Sequence, residues 1–176
     1  MRNLTKIILI LSITFQSCSD KKSESKNMTE NFTWNIQKAG YEFDQYDLKG
    51  KTDYQTFIRE FEQFPWEKEL KKANENPDKV APTLSVIDEK ENKSFWVSIG
   101  ENQNKPIYII GYIYPKKKKG FFGLGKEKEV KWLEMFLTLD SELIKKCYRL
   151  QFDREYEKLY AELNRLEKFG EMEAKN

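Results

Sequence analysis

The chain has 176 residues, with 31 lysines and arginines against 29 aspartates and glutamates and no histidine. A net charge of +2 argues against a general nucleic-acid binder, which needs a basic excess to neutralise phosphates, and the missing histidine removes the usual proton relay and the commonest metal ligand. Twelve Phe, nine Tyr and four Trp exclude a wholly disordered chain, and the length suits one core rather than two.

The chain opens MRNLTKIILILSITFQSCSD. Arg2 and Lys6 precede a mostly apolar run from Ile7 to Phe15, the length of a signal-peptide core and well short of the roughly 20 residues that span a bilayer. Ser17-Cys18 follows. This segment resembles the bacterial lipoprotein signal, cut just before a cysteine, although the position three before the cysteine is Phe15 where that family usually has an aliphatic residue. The resemblance implies removal of residues 1–17 and acylation of Cys18, and two or more chains anchor stably where one is marginal. Ser19, rather than aspartate, implies an outer-membrane address with a periplasmic or surface-facing domain. An ordinary secretory signal with an incidental cysteine is the alternative. Loss of Arg2 and Lys6 with the signal leaves 29 basic residues against 29 acidic ones. Residues 18–31 are polar and aperiodic after Cys18 and read as a tether.

Residues 32–170 are expected to form one domain and 171–176 a disordered tail. NFTWNIQKAGYEFDQYDL reads as one or two strands broken near Gly40. Phe57, Ile58, Phe61 and Phe64 recur at helical spacing, and Pro65 ends that helix or opens a second one. TLSVID, SFWVSIGE, IYIIGYIYP and EVKWLEMFLTL alternate in twos, with turn-like ENK and ENQNKP between the first three, which predicts an antiparallel meander. Asp140 sits where a helix N-cap belongs, ahead of SELIKKCYRL. Tyr156, Leu159, Tyr160, Leu163 and Leu166 mark a second or fused helix. The expected fold is α+β: a four- to five-stranded antiparallel sheet with helices before and after it, packed on one face.

Two sheet faces are expected. Phe95, Val97 and Ile99 are aligned with Ile107, Ile109 and Ile113 and with Leu133, Met135, Leu137 and Leu139 as an aliphatic core face, for which Leu137 is the clean probe. The reverse face collects Trp96, Ser98, Tyr108, Ile110, Tyr112, Tyr114, Trp132, Glu134 and Phe136, either as an aromatic interface or as a second core layer covered by other elements.

The stretch YPKKKKGFFGLGKEKE admits several readings. Gly120-x-x-x-x-Gly125-Lys126 is not a phosphate loop, because Glu127 stands where Ser or Thr would hold magnesium and an alternating strand follows instead of a helix. The expectation is a long hairpin loop in which Pro115 ends a strand and Lys116, Lys117, Lys118 and Lys119 keep the tip soluble. With Phe121 and Phe122 that loop could rest on an anionic membrane or enter a partner's cleft.

No catalytic motif is found. Cys147 is the cysteine left once Cys18 carries lipid, so no internal disulfide is available, and its position beside Ile144 on a helical face fits an inert buried thiol. No enzyme activity and no cofactor or metal is therefore expected. FEQFPWEKEL, APTLSV and SFWVSIGE resemble small immunity-type domains. With the lipoprotein signal, that resemblance implies an immunity protein that neutralises a secreted toxin by occlusion, with no residue role carried over. The expected partners are a protein, with Phe121, Phe122, Lys116, Lys117, Lys118, Lys119, Trp96, Tyr112 and Trp132 as contacts, and the membrane through Cys18. The alternatives are an envelope lipoprotein that binds a glycan or nutrient, and a structural subunit of an envelope complex.

Overall fold

The computed structural model describes residues 31–118 and 127–174. Cys18, Lys119, Phe121, Phe122 and the 120–126 motif lie outside the described residues. In chain order the elements are β1 (Phe32–Gln37), β2 (Asp47–Lys51), α1 (Tyr54–Gln63), α2 (Trp66–Glu75), β3 (Thr83–Asp88), β4 (Lys93–Asn102), β5 (Lys105–Lys118), β6 (Lys128–Thr138), α3 (Ser141–Phe152), α4 (Tyr156–Leu163) and β7 (Glu167–Glu173). The described strands form a single antiparallel sheet of seven, in the order β2-β1-β3-β4-β5-β6-β7. The fold is α+β, and β3 to β6 run as the expected meander.

The sheet is wider than four or five strands because both its edges are hard to read. β2 (DLKGK) and β7 (EKFGEME) are mostly exposed and carry no apolar alternation. Charge on an edge strand discourages pairing with other chains, so these sequences suit their positions. β7 also corrects the expected tail, since Glu171 to Glu173 are strand. The helical stripe stops at Leu163, where Asn164 caps α4, and Leu166 packs against the core from beyond the helix.

Helix ends follow local chemistry. Asp53 caps α1 by accepting the Thr56 N–H at 2.7 Å, and Pro65 separates α1 from α2. Asp140 accepts the N–H groups of Glu142 and Leu143 at 2.9 and 3.0 Å, as its position suggested. Four ring contacts place one helix each over the same sheet face: Phe57 of α1 on Trp34, Trp66 of α2 on Tyr108, Tyr148 of α3 on Phe95, and Tyr160 of α4 on Tyr114. Tyr148 is fully buried and donates its hydroxyl to the Leu84 carbonyl at 3.0 Å.

One turn decides which residues lie under the helices. Asn102 pairs with Lys105 around Gln103 and Asn104, both at positive φ (51° and 60°), a two-residue hairpin loop. That loop sets Phe95 opposite Tyr112 and Val97 opposite Ile110. The expected alignment of β4 with β5 is therefore off by one residue, which swaps the faces of β4. Phe95, Val97 and Ile99 share the covered face with Ile110, Tyr112 and Phe136, all buried. The pairing of Ile109 with Leu137 and Ile113 with Leu133 is as expected, but that aliphatic set lies on the other face, with Trp96.

The lysine stretch also departs from expectation. Pro115 does not end β5, which continues to Lys118 paired with Lys128. β4 has already ended beside Ile113, so β5 has a neighbour on one side only from Pro115 onward. Lys131, opposite Pro115, turns its carbonyl toward Ala174, so the proline nitrogen points to the vacated side, where no ladder donor is needed. Lys116, Lys117 and Lys118 are strand residues of a projecting two-stranded ribbon.

Candidate interaction surfaces

Among the described residues no element packs on the second face of the sheet. Three rows cross it. Thr33, Ile87, Ser94, Ile113 and Leu133 form the first, Asn35, Ser85, Trp96, Gly111 and Met135 the second, and Gln37, Thr83, Ser98, Ile109 and Leu137 the third. None of these residues is charged, in a chain where 34% are. β7 extends the rows with Met172, Gly170 and Glu167, and at the opposite edge β2 sets Lys51 beside Thr33, so charge returns at both edges and, past Ile113 and Leu133, at Lys117, Glu129 and Lys131 of the ribbon. Leu139 (72% exposed) and Met172 (49%) border the aliphatic half.

The face is flattened by large side chains lying over glycines. A Cβ on Gly111 would fall 1.9 Å from the Trp96 ring, so the indole rests directly on the glycine backbone. Met135 lies similarly over Gly170 and Ile109 over Gly100, with closest approaches to a Cβ of 3.3 and 3.5 Å. Trp96 thereby joins a hydroxyl- and amide-bearing half on β1 and β3 to an aliphatic half on β5 and β6.

On the helix side, a cleft of about 370 Å³ separates α4 from β5 and is lined by Lys93, Tyr112, Tyr114, Pro115, Tyr156, Glu157 and Tyr160. Lys93 Nζ stands 3.5 Å from the Tyr156 ring centroid. Its burial pulls the ammonium pKa below the usual lysine value, against the opposing fields of Glu91, Asp88 and Glu157. The wall is fixed by Asp88, which is fully buried and accepts Arg154 Nε at 2.6 Å, Arg154 Nη2 at 3.1 Å and the Tyr156 hydroxyl. Burial alone would raise the Asp88 pKa, but Arg154, Tyr156 and the Glu91 N–H together hold it below the ordinary carboxylate value. The same pair holds Arg154 at φ 56°, the turn that separates α3 from α4.

The ribbon is the third surface. Lys116 Nζ lies 4.0 Å from the Trp132 ring centroid, Lys118 lies 5.6 Å from it, and Trp132 donates to Glu171 at 3.4 Å. The expected aromatic contacts are thus not one patch. Trp96 is on the open face, Trp132 stands on the helix side at the ribbon's base, and Tyr112, 3% exposed, belongs to the core and floors the cleft. Parity would have separated them had the Gln103-Asn104 loop been legible, but the strong signal for such loops is Asn-Gly or Asp-Gly.

Cys147 is buried, and burial pushes its thiol pKa up to about 12. Among the described residues no group of His, Cys, Asp and Glu is arranged to hold a metal ion, and no helix is long and apolar enough to cross a membrane. Comparison with protein-family models, with curated proteins and with solved structures finds no match to this chain.

Proposed function

We propose that the chain is a non-enzymatic, lipid-anchored binding protein of the bacterial cell envelope, an immunity-type protein that neutralises a secreted toxin by occlusion. Its toxin-binding surface is the uncharged face of the sheet. The observation that carries this reading is that the three rows across β1 and β3 to β6 contain no charged side chain. A partner presenting charge to that face would lose hydration without gaining a counter-charge, so the matching surface is itself neutral and substantially apolar. Five strands at about 4.8 Å and six residues at about 3.3 Å give a projected area on the order of 500 Å². With surface relief, that approaches the roughly 800 Å² each partner contributes to a stable complex. Trp96, large and central, is the natural anchor. The buried thiol and the absence of histidine support a role without covalent or proton-transfer chemistry.

The test is capture of the partner from envelope extract, followed by titration of the purified pair. Trp96→Ala should weaken binding by about 30-fold or more, as loss of a central anchor does, and one equivalent of wild-type chain should abolish the partner's toxicity. Unchanged affinity in a folded Trp96→Ala variant removes the open face from the reading, and a partner with no toxic activity removes the immunity role.

The tyrosine cleft favours a second reading, an envelope lipoprotein that binds a glycan. Its aromatic walls offer rings to stack on sugar C–H faces, while Lys93 and Glu157 supply a donor and an acceptor for hydroxyls. Saccharide titration followed by tyrosine fluorescence, with Tyr160→Ala as the variant that should lose the signal, separates this reading from the first.

A further inference from the structure

The chain enters the sheet at the end from which the lysine ribbon projects. Phe32, the first residue of β1, pairs with Asp88, and the next row joins Thr33, Ile87, Ser94 and Ile113. Strand directions alternate along that row, so running backward from Phe32 into Asn31 and forward from Ile113 into the ribbon leads the same way. Three strand spacings, about 14 Å, separate the two exits. Past the Phe32 level, β5 continues from Tyr114 to Lys118, about 13 Å further out. We infer that this ribbon is a docking surface for anionic lipid headgroups, which turns the Asn31 end of the domain toward the membrane and leaves the open sheet face to the side.

Two observations support a lipid occupant. Paired Lys118 and Lys128 share the helix-side face of the ribbon with Lys116, where Glu173 of β7 stands 3.4 Å from Lys118 Nζ, and Lys117 and Lys131 lie on the other face with Glu129, so lysines outnumber carboxylates on both faces. Trp132 stands at the base beneath Lys116, an aromatic ring with a polar edge at the depth of an interface. The second is chain length. The 13 steps from Cys18 to Asn31 span about 44 Å fully extended and about 20 Å as a flexible coil. An anchor at Cys18 therefore holds the ribbon end within reach of the headgroups, where juxtamembrane lysines are each attracted by about fivefold in partitioning. The orientation rests on the anchor proposed above, whereas the ribbon's attraction to anionic lipid stands without it.

The experiment measures sedimentation of the full chain carrying Cys18→Ser with vesicles of phosphatidylcholine, alone or with one-third phosphatidylglycerol. The expected result is tighter binding to the anionic vesicles, weakening as salt rises from 50 to 300 mM. Lys116→Gln, Lys118→Gln and Lys128→Gln together should remove most of that preference, a loss of up to about 100-fold. A matched control removes the same charge elsewhere: Lys68→Gln, Lys71→Gln and Lys105→Gln, all exposed positions outside the ribbon. This control should retain the preference, and circular dichroism checks that both triple variants fold. Equal binding to both vesicle types overturns the inference, as does an equal loss in the control. Lack of vesicle preference combined with ribbon-dependent capture of an acidic protein assigns the ribbon to a protein instead. Fractionation of wild-type cells reads the anchor separately: a wild-type chain found outside the membrane fraction, with vesicle preference intact, removes the anchor and keeps the ribbon.

Discussion

Phe136 and Leu137 are adjacent in β6 and point to opposite faces, so replacing each with alanine asks which face is the core. Phe136 is 1% exposed and sits in the cluster beneath the helices. Its truncation loses a full aromatic burial and leaves a cavity, which costs about 3–5 kcal/mol. Leu137 lies among Ile109, Ser98 and Met135 on the open face and is only part-buried. Full burial of a leucine side chain is worth about 1.5–3 kcal/mol, so a part-buried one with no packed layer above it should cost about 1 kcal/mol or less. In urea, with a slope of about 2 kcal/mol per molar, Phe136→Ala should lower the midpoint by about 2 M and Leu137→Ala by about 0.5 M or less. Far-UV circular dichroism at matched protein concentration provides the assay. A Leu137→Ala shift equal to or larger than that of Phe136→Ala would refute the assignment of faces.

Asp88→Asn should cost about 3–5 kcal/mol at neutral pH by leaving Arg154 unpaired. Because the folded-state carboxyl titrates below its unfolded value, its contribution is present above about pH 4 and lost as pH falls through the folded value. The variant should therefore show a flatter acid limb when urea midpoints are measured from pH 7 to pH 3. Cys147, with its thiol at about pKa 12, should resist a disulfide reagent at pH 8 until urea unfolds the chain, and prompt labelling of native protein would show an accessible thiol. Gly111→Ala should force the Trp96 indole off the sheet, costing about 1–3 kcal/mol and changing tryptophan emission, and an unchanged spectrum would contradict the stacking. Cys18→Ser should move the protein out of the detergent-soluble membrane fraction in cells, and wild-type protein already soluble would count against lipidation.

What the sequence made legible were features set by near neighbours. The cap at Asp140, the break at Pro65, the turn at Gly40 (φ 88°) and the alternation of β3 to β6 each depend on a few adjacent residues. The faces depended on one loop. Gln103 and Asn104 take left-handed backbone without a glycine to announce it, and a one-residue difference there exchanged Phe95 with Trp96. Pro115 misled because its effect depends on where β4 stops, a fact of strand pairing rather than of the residues beside it. The open face was hidden for a related reason. Its uncharged residues are spread over five strands, and they become one surface only when the registers are known.

Met135 lies at the centre of the aliphatic half, with its methyl over Gly170. Placing a lysine there tests whether the uncharged face is both solvent-open and the toxin-binding surface. Met135→Lys should remain folded, with a urea midpoint within about 0.5 M of wild type, and should lose binding to the purified partner by about 30-fold or more. A variant that unfolds would show a covered face, and a folded variant that binds like wild type would place the partner elsewhere.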